Sequence, residues 1–268
     1  MFIKRNSFLL ILLFLVSTII SSCGSLNSTL PVFYTPASTS NHVSYLPKPM
    51  MADSVRTKNY LSVSFSNNSL PYETGEMVMG FINYNRSHVI ENINFSYGGF
   101  AYFGGTSRGY DNSLRKISEE FYGKGFQGIG LRTSIGYAEQ SGNTEFRVLN
   151  WENSLVFEGG SYSSFSKKER EKHDPLSIAS DKTTLYTTGG STEVIWYGKK
   201  NRDRQYGFRM FLGATLGLQH NINYTSEKIN GMASDFSFFL KIRNAYGILS
   251  NGNNLMNTSG KITLGYSF

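Results

Sequence analysis

Only one histidine of the four stands where it could take part in catalysis. His220 ends a long alternating stretch, and Thr225, Ser226 and Glu227 follow it. A histidine beside a hydroxyl can activate that hydroxyl as a nucleophile, as lipid hydrolases do. The hydroxyls around His220 match no such motif, so we expect no catalytic site and interpret His220 as a polar residue at a strand end.

The single cysteine, Cys23, directly follows a segment typical of exported proteins. Basic residues at 4–5 precede an apolar run over 8–20, which predicts a signal peptide over 1–22. The run is shorter than the roughly 20 residues of a helix that crosses a bilayer. The stretch Ile20-Ser21-Ser22-Cys23 resembles the lipobox of bacterial lipoproteins. That resemblance implies that Cys23 carries a diacylglyceryl lipid, with palmitate among its acyl groups, and is the mature N-terminus.

Several functional classes are disfavoured by the composition. One cysteine allows neither a disulfide framework nor a cysteine-based zinc site. The formal net charge of +7 is spread along the chain in clusters of mixed sign, which indicates solvated loops and no nucleic-acid partner. The paired glycines lack the residues that accompany phosphate-binding loops. We therefore expect no metal and no cofactor.

The composition favours strands joined by tight turns. The chain contains 27 Gly, 17 Tyr and 20 Phe, with only 17% charged residues. Four of the six prolines lie between residues 23 and 57, among Ser, Thr and Asn and with little alternation. This segment predicts a flexible, lipidated tether over 23–57, which leaves 58–268 for a folded β-domain.

Alternation of apolar and polar residues with period two predicts strands throughout the folded domain. A short helix is predicted at 111–122 and a mobile loop at 161–182. Closed bacterial barrels usually have an even number of strands, whereas nine stretches alternate. Either the first lies outside the barrel, which leaves eight, or another strand is hidden near 42–45 or in the long loop, which gives ten. The stretches are 60–66, 77–84, 93–102, 126–137, 144–157, 185–197, 206–219, 236–246 and 261–268.

Each predicted strand has one large apolar face and one face rich in Gly, Ser, Thr and charge. Long strands, tyrosines near strand ends and glycines on the polar face favour an apolar exterior in contact with lipid. The last eight residues, KITLGYSF, resemble the C-terminal strand of bacterial outer-membrane β-barrels, which ends on an aromatic residue. The resemblance implies an all-β fold, an antiparallel transmembrane β-barrel of 8–10 strands, in the outer membrane of a diderm bacterium.

Charged residues on the polar faces predict a network inside the barrel. One interpretation is that these residues neutralise one another and fill the lumen, because isolated buried charges are costly. The other is a narrow channel that prefers anions. An interior of about eight strands is just wide enough for side chains, which favours the first. The residues are Arg132, Arg209, Lys241, Arg243 and Lys261, facing Glu145, Glu193 and Asp235.

The sequence therefore predicts a lipid-anchored outer-membrane barrel without catalytic function. We expect it to contact outer-membrane lipid and to act as a structural or accessory component of an envelope complex with a protein partner. Three alternatives remain. The first is a narrow solute or ion channel. The second is a lipid-tethered periplasmic barrel with its faces reversed around an apolar ligand. The third and least favoured is a lipid-modifying barrel hydrolase that uses His220.

Overall fold

The computed structural model describes residues 32–268 except 71–74, 108–116, 175–176, 199–200, 219, 222–227, 230 and 255–256, and the side chains of 201–202, 220–221 and 228–229 are not described either. The predicted signal peptide, Cys23 and the first half of the predicted helix at 111–122 lie outside the described residues. The described part belongs to one compact unit, Pro31–Phe268.

Ten antiparallel strands close into a barrel in the order β12-β13-β14-β2-β3-β4-β5-β6-β8-β9. β9 then pairs with β12, which completes the ring. Two short pairs, β1 with β7 and β10 with β11, lie outside it. The elements are β1 (Val32–Tyr34), β2 (Thr57–Ser69), β3 (Glu76–Ile90), β4 (Ile93–Ser107), β5 (Gly125–Ser141), β6 (Thr144–Gly159), α1 (Ser161–Glu171), β7 (Ser177–Ala179), β8 (Thr184–Gly198), β9 (Asn201–Leu216), β10 (His220–Asn221), β11 (Lys228–Ile229), β12 (Met232–Ile242), β13 (Ala245–Asn254) and β14 (Asn257–Ser267).

The all-β antiparallel barrel predicted from the alternation is confirmed, and ten is its strand count. β2 belongs to the ring, so the eight-stranded alternative is wrong. The tenth strand is neither near 42–45 nor in the long loop. It is β13, because the alternating stretch 236–246 contains the end of β12, a tight turn and the beginning of β13.

The outward face of the barrel is apolar and the inward face is polar. On β2, Val63 and Phe65 are each 59% exposed, whereas Ser64 and Ser66 between and beside them are buried. Barrel strands of 10 to 17 residues exceed the length needed to cross a bilayer at a tilt. Apolar belts of this size are avoided on surfaces that face water. The predicted face assignment is therefore confirmed, and the alternative with reversed faces is wrong.

The two ends of the barrel differ in their connections. Two-residue turns at 91–92, 142–143 and 243–244 lie at one end, together with the C-terminus, and we call this the turn end. Phe268 closes the ring there through backbone hydrogen bonds of 2.9 Å to Asn59. The longer connections lie at the opposite end, the loop end. Outer-membrane barrels have short periplasmic turns and longer extracellular loops, and the ends of this barrel differ in the same sense.

An ordered cap covers the loop end, where the sequence predicts a mobile loop over 161–182. Instead, 161–171 forms α1, and β7 pairs in parallel with β1. Phe165 of α1 packs edge-on against Tyr34, with ring centroids 5.1 Å apart. Burial raises the pKa of Tyr34 to about 12. The prediction failed because the helix is polar except on the face that the barrel covers. A 3₁₀ turn at Glu119–Phe121 also packs in this cap.

Among the described residues, no helix is both long enough and apolar enough to cross a membrane.

Candidate functional site: a polar lumen filled by the N-terminal segment

Residues 35–50 pass through the inside of the barrel, and we call them the luminal segment. Every one of them is buried. Their hydrogen-bond partners lie on strands around the whole ring: β2, β3, β5, β6, β8 and β14. The predicted flexible tether over 23–57 is therefore wrong for residues 35–50. The segment has the composition of a linker and pairs with no neighbouring strand. Side chains of the barrel wall supply its contacts instead.

The luminal segment runs along the barrel from the loop end to the turn end. At the loop end the amides of Ala37 and Ser38 donate to Glu158, over 2.9 and 3.0 Å. Just beyond the segment's other end, the amide of Met51 donates to Glu145 over 2.6 Å. Both carboxylates belong to β6, and a strand rises about 3.3 Å per residue. The segment therefore follows β6 from one end to the other, and it leaves the lumen at the turn end to continue into β2.

Wall side chains satisfy the backbone carbonyls that a lone extended chain would leave unpaired. Arg132 donates from Nε to the His42 carbonyl over 2.7 Å. Lys261 donates to the carbonyls of Asn41 and Val43, over 3.0 and 3.3 Å. Buried carbonyls without such partners cost free energy. Two of the predicted network cations therefore bind the luminal segment and form no ion pair with a carboxylate among the described residues.

Two buried ion-pair clusters lie in the lumen, on the neighbouring strands β6, β8, β9 and β12. In the first, Arg209 contacts Glu152 and Asp235, each at 2.5 Å. In the second, Arg147 contacts Glu145 at 2.8 Å and Glu193 at 3.0 Å. Burying ion pairs requires that each charge be neutralised locally, and here each guanidinium lies between two carboxylates. Of the residues named from the sequence, Arg209 and Asp235 lie in the first cluster, and Glu145 and Glu193 lie in the second.

Arg147 and Glu152 are central to these clusters, and the sequence analysis missed both. The register between β6 and β8 shifts between Arg147 and Asn150. A bulge adds a residue to one strand and reverses which side chains point inward. Strict alternation from Glu145 therefore places Glu152 on the outer face, whereas both ends of β6 in fact turn carboxylates inward. Two residues separate the inward side chains of Arg147 and Asn150, where strict alternation has one, and this spacing is the local signal of the bulge.

Side chains of the luminal segment make specific contacts as well. The hydroxyl of Tyr45 donates to Glu193, and its ring lies 5.3 Å from that of Phe239. His42 bonds the carbonyl of Ser38 through Nδ1, over 2.9 Å, and Thr187 through Nε2. The sequence analysis placed His42 in the tether and expected no role for it. These contacts fix the position of the segment along the barrel.

The remaining predicted residues lie apart from the two clusters. Lys241 is buried near the turn end, and Arg243 is exposed in the turn between β12 and β13, outside the lumen. The expectation that Arg243 joins the network is wrong because the turn redirects it. His220 begins β10, and its side chain, like Thr225, Ser226 and Glu227, lies outside the description. In the described ranges, no group of three His, Cys, Asp or Glu residues could hold a metal.

The space left between the luminal segment and the wall is small. Two cavities beside residues 43–47 have volumes of about 10 Å³ each, close to the minimum that holds one water molecule. A much larger cavity of about 780 Å³ opens at the turn end, beyond the segment. The arrangement therefore closes the middle of the barrel and leaves a vestibule at one mouth.

No family model matches the sequence, and no curated protein matches it. Among solved structures, neisserial surface protein A (NspA) aligns at 10% identity over 79% of this chain and 95% of that one, with a TM-score of 0.35. The β domain of the Bordetella autotransporter BrkA aligns at 9% identity over 80% and 100%, with a TM-score of 0.42. The translocator domain of the autotransporter NalP from Neisseria meningitidis aligns at 10% over 81% and 90%, with a TM-score of 0.40. At these scores the function has to be argued from the lumen itself.

Proposed function

We propose that this protein is a lipid-anchored outer-membrane barrel that does not conduct and that serves as a structural or accessory component of an envelope complex. The observation that carries the proposal is the occupied lumen: residues 35–50 are buried inside the ring and hydrogen-bonded to its wall. A pore needs a continuous path, whereas the cavities beside residues 43–47 each hold about one water molecule.

The outer surface supports the location in a membrane. Exposed aromatic side chains form a ring near the turn end, below the aliphatic belt, as in the girdles of membrane barrels. Other tyrosines that the sequence assigned to this ring, such as Tyr60 and Tyr246, point inward and fill the mouth. The exposed members are Tyr84, Tyr97, Tyr137, Tyr206 and Tyr266.

The direction of the luminal segment bears on the lipid anchor. The described residues begin with Val32, which precedes the segment and lies at the loop end, the extracellular end if the usual rule for turns and loops holds. The nine residues from Cys23 to Val32 span at most roughly 32 Å. An unpaired backbone does not cross the hydrocarbon core. A lipid on Cys23 would therefore enter the leaflet on the loop side, and the proposal places it in the outer leaflet.

A second candidate function is a channel that opens when the luminal segment moves. It is favoured by the wall that such a movement would uncover, since Arg132, Arg209 and Lys261 line it and would attract anions. Hydrogen bonds that the guanidinium of Arg147 donates to the carbonyls of Lys48 and Pro49, over 3.4 and 2.9 Å, make the closed arrangement the resting one.

Planar-bilayer recording of the purified full chain tests the proposal. We compare it with a variant in which residues 35–50 are replaced by a Gly-Ser linker of equal length, after both are shown to be SDS-resistant barrels on unboiled gels. The full chain should be silent and the linker variant should conduct. Sustained conductance by the full chain would overturn the proposal. Acyl labelling of the Cys23→Ser variant, which should be lost, tests the anchor separately.

A further inference from the structure

The cavity at the turn end is built differently from the rest of the lumen. Its volume, about 780 Å³, lies within the range of roughly 300 to 1,000 Å³ typical of small-molecule sites. We call it the turn-end vestibule. It is lined by Asp53, Lys58, Asp203, Gln205, Lys241, Arg243, Asn244 and Tyr266, among others.

Lys241 is a buried cation without a partner in this vestibule. The residue is only 3% exposed and lines the cavity. Among the described residues, its ammonium group forms no ion pair, and the charged groups that act on it are Lys58, Asp53 and Asp203. The other buried cations contrast with it, because Arg147 and Arg209 each bind two carboxylates and Lys261 binds two carbonyls. A buried charge that lacks such compensation is costly.

Asp53, one of the two acids that act on Lys241, is already engaged. One carboxylate oxygen of Asp53 accepts from Lys58 over 3.0 Å and from the amide of Met50 over 3.3 Å. The other oxygen accepts from Gln205 over 3.0 Å. The charges of Lys58 and Lys241 act on each other, and both residues line the vestibule. With Arg243 at the rim, the lining holds three cations and two acids, Asp53 and Asp203.

We propose that the turn-end vestibule binds an anion of the carboxylate or phosphate class, with its oxygens between the ammonium groups of Lys241 and Lys58. Charge-assisted hydrogen bonds to such an anion compensate both cations at once. The amide groups of Gln205 and Asn244 lie in the same lining and can complete its hydrogen bonds. The inference deepens the proposed function, because that proposal opens the vestibule to the periplasm, where a free solute or an acidic group of a protein partner could enter.

Two probes distinguish the sources of the anion. The purified full chain in detergent micelles is titrated by calorimetry with inorganic phosphate and, separately, with a tri-glutamate peptide, with tri-glutamine as the uncharged control. Binding of phosphate alone indicates a small solute, and tighter binding of the acidic peptide indicates a carboxylate on a protein. Either result supports the site. If neither probe binds, the proposal is overturned.

A matched pair of variants ties binding to the site. Lys241→Met removes the charge and keeps the length, so the affinity should fall at least about tenfold, the effect of one charge-assisted hydrogen bond. Lys168→Met, which changes an exposed lysine of α1, should bind like the parent. Equal binding by the Lys241 variant would also overturn the inference. The thermal unfolding midpoint of each variant, measured without anion, shows whether the variant is folded. Removing an unpaired buried charge should not lower this midpoint. Conductance by the full chain would contradict the proposed function, but it would not change the outcome of the anion titrations.

Discussion

The loop end and the turn end of the barrel are built differently. At the loop end, aromatic rings from three separate parts of the chain pack over the mouth: Tyr34, Phe121, and Tyr162 with Phe165. At the turn end, the mouth holds charged and polar side chains around an open vestibule. The luminal segment is fixed near both ends in the same way, by amides that donate to a carboxylate of β6.

This difference shows that excluding water from a mouth of the barrel and fixing the luminal segment depend on different side chains. The apolar cap excludes water from the loop end because its rings bury apolar surface. Carboxylates, guanidinium groups and carbonyls fix the segment along the lumen, because each satisfies a polar group that would otherwise be buried alone. The end that is fixed but not sealed is the one that can admit a ligand. Changes at the two ends should therefore have different consequences.

The largest expected effect is on antibody access to the two ends of the barrel, because an epitope is either reached on intact cells or not. An epitope inserted directly before Val32 should be reached by antibody on intact cells, since Val32 lies at the loop end. The same epitope inserted in the turn at 91–92 should be reached only after the outer membrane is permeabilised. Flow cytometry of intact and permeabilised cells measures both. The reverse pattern would show that the loop end faces the periplasm.

The next effect is on stability at the turn-end side of the lumen. Arg147→Met leaves Glu145 and Glu193 without their shared cation. Breaking a buried ion pair from one side costs about 3–5 kcal/mol, so the free energy of unfolding in urea should fall by about that amount. Lys167→Met on the exposed face of α1 is the control and should change it little.

A double variant sharpens this prediction. Adding Glu193→Gln to Arg147→Met removes one of the two stranded charges, so part of the lost stability should return. If the single variant unfolds like the parent, the cluster does not fix the segment, and the contrast between the two ends loses its basis.

Much of the barrel could be predicted because its signal is local. Alternation with period two gives both the existence of a strand and its outward face, and it found nine of the ten strands. It missed β13 because the turn at Arg243 and Asn244 carries neither glycine nor proline to mark the boundary. Such a turn is visible only in the backbone, where Arg243 has a positive φ of 56°.

The luminal segment could not be predicted because nothing in its own sequence holds it. Its carbonyls are satisfied by Arg132, Lys261 and other side chains that are far away in the chain. Glu152 was hidden for a related reason, since a bulge in β6 between Arg147 and Asn150 reverses the inward parity. Contacts of this kind form only once the ring has closed. The period of the alternation and the composition of the chain do not indicate them.

The smallest expected effect tests whether the two fixing points act independently. Glu158 accepts from the amides of Ala37 and Ser38 and, over 2.8 Å, from the hydroxyl of Tyr102. Glu158→Gln keeps the shape but replaces one acceptor oxygen with a donor. One amide therefore loses its partner, and the free energy of unfolding should fall by about 1–2 kcal/mol.

Amide hydrogen exchange decides whether that loss stays local. Because Arg132 and Lys261 hold the middle of the luminal segment, exchange should speed up at Ser38 in the Glu158→Gln variant and stay unchanged at Met51, which Glu145 holds. Faster exchange at both amides would mean that the segment is released as one unit. The contacts at the loop end would then hold the whole segment in place. A ligand in the turn-end vestibule could in that case change the stability of the segment over its whole length.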